Sequence, residues 1–397
     1  MANAPSNRPL LIVSGSSGLI GSKVVKEFGR DHEVIGLDTK PPAGEHRPAA
    51  FIECDLTSDG DTARAFERVR REHGDTVACM IHLAAYYDFS GEPSPMYRSL
   101  TVEGTRRVLR QLQQFERVEQ FVFTSSLLVM EPTEPEEGRL TEASPLEDEP
   151  WDYPRSKIEA ERVIRREHGD VPAVILRVAG VYDEDGNSIP IGQHIARIYE
   201  KRIESYLFPG DADHGTPYLH LSDLMTCFRH VVERRARLDD LALFLIAEPN
   251  VMSYNDLQDA IGTLIHGKEW PTIRIPKAAA KAGAWVKERT EGEEAFIKPW
   301  MVDLADADYT VAIRHAADEL DWRPGRSLAD TLPVIVGRML ENPTAWYEAN
   351  GLPLPDELKS ERQLEPASRA GRGGALGGRW SGGRGRRRGT GRRSTDE

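Results

Sequence analysis

The segment VSGSSGLIGSKVV, at residues 13–25, constrains the fold more than any other part of the sequence. Gly15, Gly18 and Gly21 follow an apolar run and stand where an amphipathic pattern begins. Glycines in such a series allow a tight strand-to-helix turn, close backbone approach to a pyrophosphate, and close packing of helix against strand. The helix N-terminus then offers unpaired N–H groups and a positive dipole to the phosphates. The segment therefore predicts the start of a dinucleotide-binding βαβ unit.

Short apolar runs continue to alternate with amphipathic stretches. Six of them, up to about residue 180, indicate strands: PLLIVSG, EVIGLD, AAFIECDL, TVACMIHLAA, EQFVFTSS and PAVILRVAG. Beyond that point the pattern is mostly helical, with LALFLIAEP as a further strand. This alternation predicts an α/β fold: a Rossmann-type doubly wound parallel sheet at residues 9–180 that binds NAD, then a smaller, mostly helical substrate-binding lobe at residues 181–350 that returns to the main sheet.

The last part of the chain differs from the rest in composition. The 397-residue chain carries a net charge of −13, yet residues 366–397 are rich in Gly and Arg and carry a net positive charge. A segment with so few apolar residues is predicted to be disordered. The acidic remainder is not typical of a duplex-binding domain, so no nucleic-acid partner is expected other than through weak binding by this tail.

Other sequence features indicate where in the cell the protein is expected and whether it holds disulfides or metal. No apolar run approaches the ~20 residues that span a bilayer. Residues 1–9 lack a basic segment followed by an apolar run, so no signal peptide is predicted. A cytoplasmic protein without membrane contact is expected. Cys54, Cys79 and Cys227 stand at wide spacings, which argues against a disulfide framework or a cysteine-based zinc site. No metal is predicted.

Two carboxylates follow predicted strands. Asp38 ends the second strand, where it can accept hydrogen bonds from the adenosine ribose and would repel a 2′-phosphate. NAD is therefore predicted as the cofactor over NADP, although Lys40 lies close enough to accept a 2′-phosphate. Asp55, followed by Leu56, ends the third strand, where it can bond the adenine amino group or serve only to form a turn.

Tyr153 and Lys157 form a YxxxK pair on a predicted helix. Residues four positions apart share one helix face. An ammonium next to a phenol favours the phenolate, so we expect a Tyr153 pKa below the usual value of about 10. Such a tyrosine can act as a general acid or base towards a carbonyl or hydroxyl group. The lysine can also hold a nicotinamide ribose.

In combination these motifs resemble those of the extended short-chain dehydrogenase/reductases, in the NAD-dependent epimerase/dehydratase family. The resemblance covers roughly residues 9–342. The matching segments are GSSGLIG (15–21), CDL (54–56), IHLAA (81–85), VEGT (102–105), FTSS (123–126), YPRSK (153–157), ILRVAGVYD (175–183), FPGD (208–211), YLHLSD (218–223) and LDWRPGRSLADTL (320–332).

The resemblance implies residue roles. Tyr153 would be the catalytic acid/base and Lys157 its activator. Ser126, or the adjacent Ser125, would hydrogen-bond the reacting oxygen. Small side chains at the fourth strand's end would let the nucleotide lie close. The expected cofactor contacts from this strand end and the glycine loop, besides the glycines themselves, are Ser17, Leu19, Ile20, Leu83, Ala84 and Ala85.

Two departures from the family pattern affect the expected reaction. Thr101 stands where the family often has Asn, which leaves its role open. Sugar 4,6-dehydratases of this family use a Thr-Asp-Glu run at the fifth strand's end, and the matching residues here are Ser126, Leu127 and Leu128. Leucines cannot exchange protons, so the sequence predicts an enzyme that is not a 4,6-dehydratase.

Three functions remain open. An epimerase acting on a nucleotide-linked sugar requires a diphosphate site in the smaller lobe, for which Lys201, Arg202, Lys268 and Arg274 are candidates. A dehydrogenase or ketone reductase requires an apolar pocket, which the aromatic stretch AAYYDFSGEPSPMY at residues 84–97 favours. The third is a non-catalytic NAD-binding sensor. Arg177, His220 and Asp223 either form a structural network or face the substrate. The family resemblance also suggests a homodimer built from two helices per subunit.

Overall fold

The structure of the chain is a computed structural model. It describes residues 8–43, 47–88, 92–133, 138–148, 150–283, 301–302, 305 and 307–359. The tail predicted to be disordered, residues 366–397, lies outside the described residues. Within the described parts of the chain, no helix is long and apolar enough to cross a membrane.

A seven-stranded sheet, parallel throughout, forms the centre of the molecule. Its spatial order is β12-β8-β7-β5-β1-β2-β3, and the other strands form three two-stranded pairs, β10-β13, β11-β9 and β4-β6. In chain order the strands are β1 (Leu10–Ser14), β2 (Glu33–Asp38), β3 (Ala50–Glu53), β4 (Thr76–Val77), β5 (Cys79–His82), β6 (Arg117–Val118), β7 (Phe121–Ser126), β8 (Ala173–Val178), β9 (Gly180–Tyr182), β10 (Leu207–Pro209), β11 (Tyr218–His220), β12 (Leu241–Ile246) and β13 (Ile273–Ile275). The predicted Rossmann-type sheet is confirmed.

Helices cover both faces of this sheet. The α-helices are α1 (Leu19–Phe28), α2 (Asp59–His73), α3 (Glu103–Leu112), α4 (Asp152–Glu167), α5 (Ile189–Tyr199), α6 (Leu221–Glu233), α7 (Tyr254–His266), α8 (Arg314–Leu320), α9 (Leu328–Glu341) and α10 (Pro343–Ala349). A π-helix (Tyr97–Val102) leads directly into α3, and short 3-10 turns occur at Leu127–Val129 and Ile203–Tyr206.

Strand β1 shows why its sequence is continuously apolar. Leu11 and Val13 belong to a core cluster on one face of the sheet, whereas Leu10 and Ile12 belong to a second cluster on the other face. Successive side chains of a strand point to opposite faces, so a strand covered on both sides needs apolar residues at every position. Burial of each such side chain stabilises the fold by roughly 1.5–3 kcal/mol.

One segment that the sequence predicts as a single strand forms two strands in the structure. The run TVACMIHLAA forms β4, which pairs with β6, and β5, which pairs with β1 and β7 in the main sheet. The change of partner occurs at Ala78, whose N–H donates to the Leu10 carbonyl. A continuous apolar run does not show which neighbour each segment pairs with, so the sequence could not predict this break.

Residues after 180 divide between two cores. Residues of α6, β12 and α8 pack in the cluster on one face of the main sheet. Residues of α5, α7, α9 and α10 form a separate cluster, which includes Tyr182, Trp270 and Tyr347. The chain therefore builds a second apolar core beside the sheet and also contributes its seventh strand.

The strand order reverses at β1, which lies between β2 and β5. The chain leaves β3 at one edge and crosses to the other side of β1 to form β5. Ligands of such sheets bind in the crevice outside the carboxyl ends of the strands at this switch point. In this chain the crevice lies beyond Ser14 and His82, the last residues of β1 and β5.

Candidate active site

The predicted glycine turn connects β1 to α1 at this crevice. Gly15 has a φ of 70°, a left-handed conformation that favours glycine, and its N–H donates to the Leu37 carbonyl at 2.9 Å. A Cβ on Gly15 would lie 3.0 Å from the backbone nitrogen of Ala84, and one on Gly21 would overlap the carbonyl oxygen of Gly15. Because Gly15 and Gly21 lack a Cβ, β1, α1 and the end of β5 can pack this closely. Gly18 lies at the N-terminal cap of α1.

Asp38 lies at the end of β2 and ties the glycine turn to that strand. Its carboxylate accepts hydrogen bonds from the backbone nitrogens of Ser17, at 3.0 Å, and Thr39, at 2.7 Å. The Ser17 hydroxyl donates to the Lys40 carbonyl at 2.6 Å. A negative charge is therefore fixed beside the turn, whereas the Lys40 side chain is exposed.

Asp55 forms a turn. One carboxylate oxygen accepts hydrogen bonds from the Thr57 hydroxyl, at 2.7 Å, and from the Thr57 backbone nitrogen, at 2.8 Å. The sequence left two roles open for Asp55. The structure shows the turn-forming role, and a contact with adenine stays a prediction. Leu56 next to it is buried.

The opposite side of the crevice follows β5. Leu83, Ala84 and Ala85 are half-buried, and the Leu83 N–H donates to the Ser14 carbonyl at 3.2 Å. The two predicted contacts at the start of α1 differ in exposure, since Leu19 is 42% exposed and Ile20 is half-buried. The predicted cofactor contacts thus come from two neighbouring strand ends and the first turn of α1.

The predicted acid/base pair lies at the end of β7, on the same edge of the sheet. Tyr153 is in the first turn of α4, and its hydroxyl lies close enough to the Ser126 side chain to interact with it. The Ser125 hydroxyl instead donates to a carboxylate oxygen of Glu161 at 2.6 Å. Of the two adjacent serines, only Ser126 is therefore in contact with the tyrosine.

Lys157 is buried and points to the sheet. Its Nζ donates to the Thr124 carbonyl at 2.7 Å and lies 4.8 Å from the centre of the Phe123 ring, but 6.0 Å from that of Tyr153. Burial lowers the pKa of Lys157 to about 8, and the Glu161 carboxylate partly offsets this.

The expected lowering of the Tyr153 pKa is wrong for this structure. Burial raises the Tyr153 pKa to about 12, and the hydrogen bond with Ser126 opposes that rise only in part. The physical reason is the direction of the Lys157 ammonium, which bonds a backbone carbonyl of β7 rather than the phenol oxygen. Tyr153 is accordingly a neutral phenol at neutral pH.

A buried ion pair fixes α4 to the sheet. Arg177 of β8 donates two hydrogen bonds to Glu161, at 2.8 and 3.1 Å, and both side chains are almost fully buried. Glu161 lies on the same face of α4 as Tyr153 and Lys157, two and one turns further along the helix. Arg177 therefore belongs to a structural network, one of the two roles considered for it.

His220 and Asp223 also take part in local structure. The His220 Nδ1 accepts a hydrogen bond from the Ser222 N–H at 3.1 Å and so caps α6. The Asp223 carboxylate accepts one from the Arg326 N–H at 3.0 Å. Two of the candidate diphosphate ligands already have carboxylate partners: Arg202 with Glu200, and Arg274 with Asp211 and Asp213. Lys201 and Lys268 are exposed on the lobe.

Aromatic side chains surround Tyr153. The Tyr87 ring packs edge-on against it with centroids 4.8 Å apart, and the Trp151 ring lies 5.5 Å away. Tyr87 belongs to the aromatic stretch that the sequence singled out, but Trp151 was missed. Its only signal was its position two residues before Tyr153, at the start of the predicted helix.

The crevice has the features of a dinucleotide site. Backbone approaches backbone where Gly15 meets Ala84, which leaves no Cβ between them. The Ser16 hydroxyl is fully buried at the turn and lacks a hydrogen-bond partner among the described residues. With the fixed charge of Asp38 beside them, these residues fit the phosphates and ribose of a dinucleotide.

Comparison with known proteins agrees with this geometry. The family model described as "NAD dependent epimerase/dehydratase family" matches residues 11–247. A curated relative from Escherichia coli O157:H7, N-acetyl-alpha-D-glucosaminyl-diphospho-ditrans,octacis-undecaprenol 4-epimerase, is 26% identical over 184 residues. That match covers 44% of this chain and 49% of the relative, so the chain spans about half the length of the curated relative it matches.

Solved structures resemble a larger share of the chain. UDP-glucuronic acid 4-epimerase from Bacillus cereus, in complex with UDP-glucuronic acid and NAD, is 16% identical with a TM-score of 0.61, and the match covers 84% of this chain and 99% of that one. dTDP-glucose 4,6-dehydratase from Bacillus anthracis str. Ames, in complex with NAD, is 19% identical with a TM-score of 0.62, covering 85% and 98%. At these identities the likeness establishes the fold.

Proposed function

The chain belongs to the NAD dependent epimerase/dehydratase family, and from this premise we propose that it oxidises and reduces a C–OH/C=O carbon of a small-molecule substrate with Tyr153 as acid/base. The observation that carries the proposal is the position of the Tyr153 hydroxyl beside the Ser126 side chain. This pair lies at the end of β7, on the same edge of the sheet as the glycine turn. We propose residues 9–180 as the NAD-binding part and residues 181–350 as the substrate-binding part.

NAD is the cofactor of this family, and when bound it supplies the acceptor and donor of hydride. In our proposal the turn at Gly15, Gly18 and Gly21 receives the phosphates. Asp38 bonds the adenosine ribose, and Ala84 lets the nucleotide lie against the end of β5. The other predicted contacts lie beside these residues on the same two strand ends.

Tyr153 moves the proton. In the direction of reduction, its neutral phenol donates a proton to the carbonyl oxygen as the carbon becomes an alcohol. In the direction of oxidation, the phenolate takes the hydroxyl proton while the carbon gives up hydride, and a carbonyl results. The Ser126 hydroxyl supplies the second hydrogen bond to this oxygen. We propose that Lys157, which lies on the same face of α4, contacts the nicotinamide ribose.

A nucleotide-linked sugar is the substrate class that we propose first, with epimerisation as the net reaction. The names of the curated E. coli relative and of the B. cereus neighbour, both 4-epimerases, support this choice. We further propose that the chain does not carry out 4,6-dehydration. The support is from the sequence: Leu127 and Leu128 stand at the positions where the family's 4,6-dehydratases have Asp and Glu, and leucines cannot exchange protons.

A dehydrogenase or ketone reductase acting on an apolar substrate is the second candidate. The aromatic rings of Tyr87 and Trp151 beside Tyr153 favour it, because they offer an apolar surface next to the acid/base. The ion pairs of Arg274 with Asp211 and Asp213 also favour it, since they engage a cation that a diphosphate would need.

Cofactor retention distinguishes the two candidates. The protein is purified without added nucleotide and denatured, and any released dinucleotide is identified and quantified by mass spectrometry. An epimerase regenerates its cofactor at each turnover, so near-stoichiometric NAD supports the first candidate. An empty protein that binds NAD reversibly supports the second. A subsequent assay would test UDP-sugars for epimerisation and aromatic ketones for reduction, and a protein inert towards both classes while binding NAD would favour a sensor.

Two expectations are independent of the substrate. A homodimer built from two helices per subunit stays a prediction, which sedimentation equilibrium would test. A cytoplasmic location also stays a prediction of the sequence.

A further inference from the structure

A buried polar network that the proposed chemistry does not use lies directly beneath the crevice. It consists of Ser14, His82, Thr101 and Thr105, and each of these side chains is at most 1% exposed. Ser14 and His82 are the last residues of the central strands β1 and β5. Thr101 and Thr105 lie where the π-helix passes into α3. The network therefore connects three elements at the switch point of the sheet.

The donor and the acceptor of each hydrogen bond in this network can be assigned. The Thr105 hydroxyl donates to the Thr101 carbonyl at 2.6 Å, so it accepts rather than donates towards His82 Nε2, which is 3.1 Å away. His82 consequently carries its proton on Nε2. Its Nδ1 accepts a hydrogen bond from the Ser14 hydroxyl, at 2.6 Å.

His82 is a neutral imidazole in this arrangement. Burial, together with the Lys157 cation, lowers the pKa of His82 to about 3. A protonated ring would lose the acceptor at Nδ1, so the neutral ring is required for Ser14 to donate this hydrogen bond.

The network reaches the backbone on the β5 side of the crevice. The Ala84 N–H donates to the Ser14 hydroxyl oxygen at 3.4 Å, and the Tyr86 N–H donates to the Thr101 hydroxyl oxygen at 3.0 Å. Ser14 is also the residue that precedes Gly15, so the same hydroxyl is linked to the turn on the β1 side. The Ser14 hydroxyl thus connects the two sides of the close approach between Gly15 and Ala84. A Cβ on Gly15 would lie only 3.0 Å from the Ala84 nitrogen there.

We propose that His82 is a positioning residue for the NAD site. It holds the glycine turn and the Ala84–Tyr86 segment at the separation that the dinucleotide requires, through Ser14 on one side and Thr105 and Thr101 on the other. Since its side chain is buried, it acts without touching the cofactor. This inference rests on the NAD site and not on the choice of substrate or on the role of Tyr153.

Single links of the network can be removed with little change in side-chain size. Thr105→Val removes the acceptor of the Nε2 proton, Ser14→Ala removes the donor to Nδ1, and His82→Leu removes both. His194→Leu is the matched control, because His194 is likewise buried, hydrogen-bonded to Gln258 at 3.2 Å, and lies in the second core. It destabilises the chain without reaching the crevice.

The experiment measures the Kd of NAD by calorimetry and the Tm of the full-length chain, with no substrate present. We expect Thr105→Val and Ser14→Ala each to raise the Kd about fivefold to tenfold, the effect of one lost neutral hydrogen bond, and His82→Leu, which removes both bonds, to raise it further. His194→Leu lowers Tm but leaves the Kd unchanged.

An unchanged Kd in folded Thr105→Val and Ser14→Ala overturns the proposal, as does an equal loss of affinity in His194→Leu. Should His82→Leu fail to fold, the two smaller changes decide. The 15N spectrum of the wild-type His82 ring gives an independent result: a neutral ring protonated on Nε2 is expected, and a charged ring or an Nδ1 proton at neutral pH contradicts the network. Because no substrate is involved, failure of the Tyr153 chemistry leaves these results unaffected.

Discussion

At the scale of single residues, burial controls the protonation of the proposed acid/base pair. The Tyr153 phenol and the Lys157 ammonium both favour their uncharged forms, since burial raises the pKa of one and lowers that of the other. The YxxxK spacing correctly placed the two side chains on one face of α4. It could not show that Lys157 bonds the Thr124 carbonyl, because spacing along a helix does not determine where a long side chain ends.

The lowered pKa of Lys157 predicts a pH-dependent stability. Between about pH 8, its pKa in the folded chain, and about pH 10.5, the unfolded chain binds a proton that the folded chain lacks. The free energy of unfolding therefore gains a contribution of about 1.4 kcal/mol per pH unit as pH rises through this window. Below pH 8 this contribution is absent, and the buried ammonium destabilises the fold.

Lys157→Met tests this. The variant is expected to be more stable than wild type at pH 7, because no buried ammonium is present, and its advantage should shrink as pH rises from 8 to 10.5. Urea unfolding at several pH values, with exposed Lys359→Met as the control, measures the difference. A constant difference between variant and wild type across this range would show that Lys157 does not titrate there.

Two residue-level features escaped sequence reasoning for a similar reason. The sequence predicted Gly15 and Ala84 as separate cofactor contacts, yet not that they touch each other. It left the role of Thr101 open, whereas the structure shows its hydroxyl accepting the Tyr86 N–H. Contacts between residues distant in the sequence depend on the packing of whole elements, which local patterns do not encode.

At the scale of elements, α4 carries the proposed chemistry and is held to the sheet by one buried ion pair. Glu161 accepts hydrogen bonds from Arg177 of β8 and from Ser125 of β7, so a single carboxylate connects the helix to two strands. The amphipathic pattern predicted α4 well, with observed bounds of Asp152–Glu167. It did not predict Glu161 as buried, because isolated acidic residues are normally on the solvated face.

Arg177→Met should therefore destabilise the chain by about 3–5 kcal/mol, since it removes the cation that makes two hydrogen bonds to the buried Glu161 carboxylate and leaves only the longer contact with the half-exposed Arg165, at 3.9 Å. Arg68→Met is the control, because the Arg68–Glu72 pair is exposed on α2 and its loss should change stability by less than about 1 kcal/mol. Denaturant unfolding of both variants gives the comparison. Equal, small losses would mean that the Arg177–Glu161 pair does not anchor α4.

At the scale of the whole molecule, the doubly wound sheet and a smaller, mostly helical lobe could be predicted from the sequence, whereas the packing of that lobe's helices into a second core could not. Parallel βαβ units follow from the alternation of apolar runs and amphipathic stretches, and the strand order β12-β8-β7-β5-β1-β2-β3 agrees with the predicted doubly wound sheet. The second core draws on α5, α7, α9 and α10, which are far apart in sequence. No periodicity links them, so their assembly is visible only in three dimensions.

The Gly/Arg-rich tail gives a prediction for the full chain. Its charge is opposite to that of the rest, and the motifs of the glycine turn and the acid/base pair all lie before residue 158. Deletion of residues 366–397 is expected to leave both Tm and the Kd of NAD unchanged, as measured by thermal unfolding and calorimetry. A loss of either would assign the tail a part in the fold or in the cofactor site.

The most direct test of the account replaces one oxygen atom. Tyr153→Phe keeps the ring beside Tyr87 and Trp151 but removes the hydroxyl that lies beside Ser126. With whichever substrate class turns over in wild type, we predict a loss of kcat of at least ~10²-fold, the usual contribution of a general acid/base, with the Kd of NAD unchanged. Turnover by Tyr153→Phe at the wild-type rate would contradict the assignment of Tyr153 as the group that moves the proton.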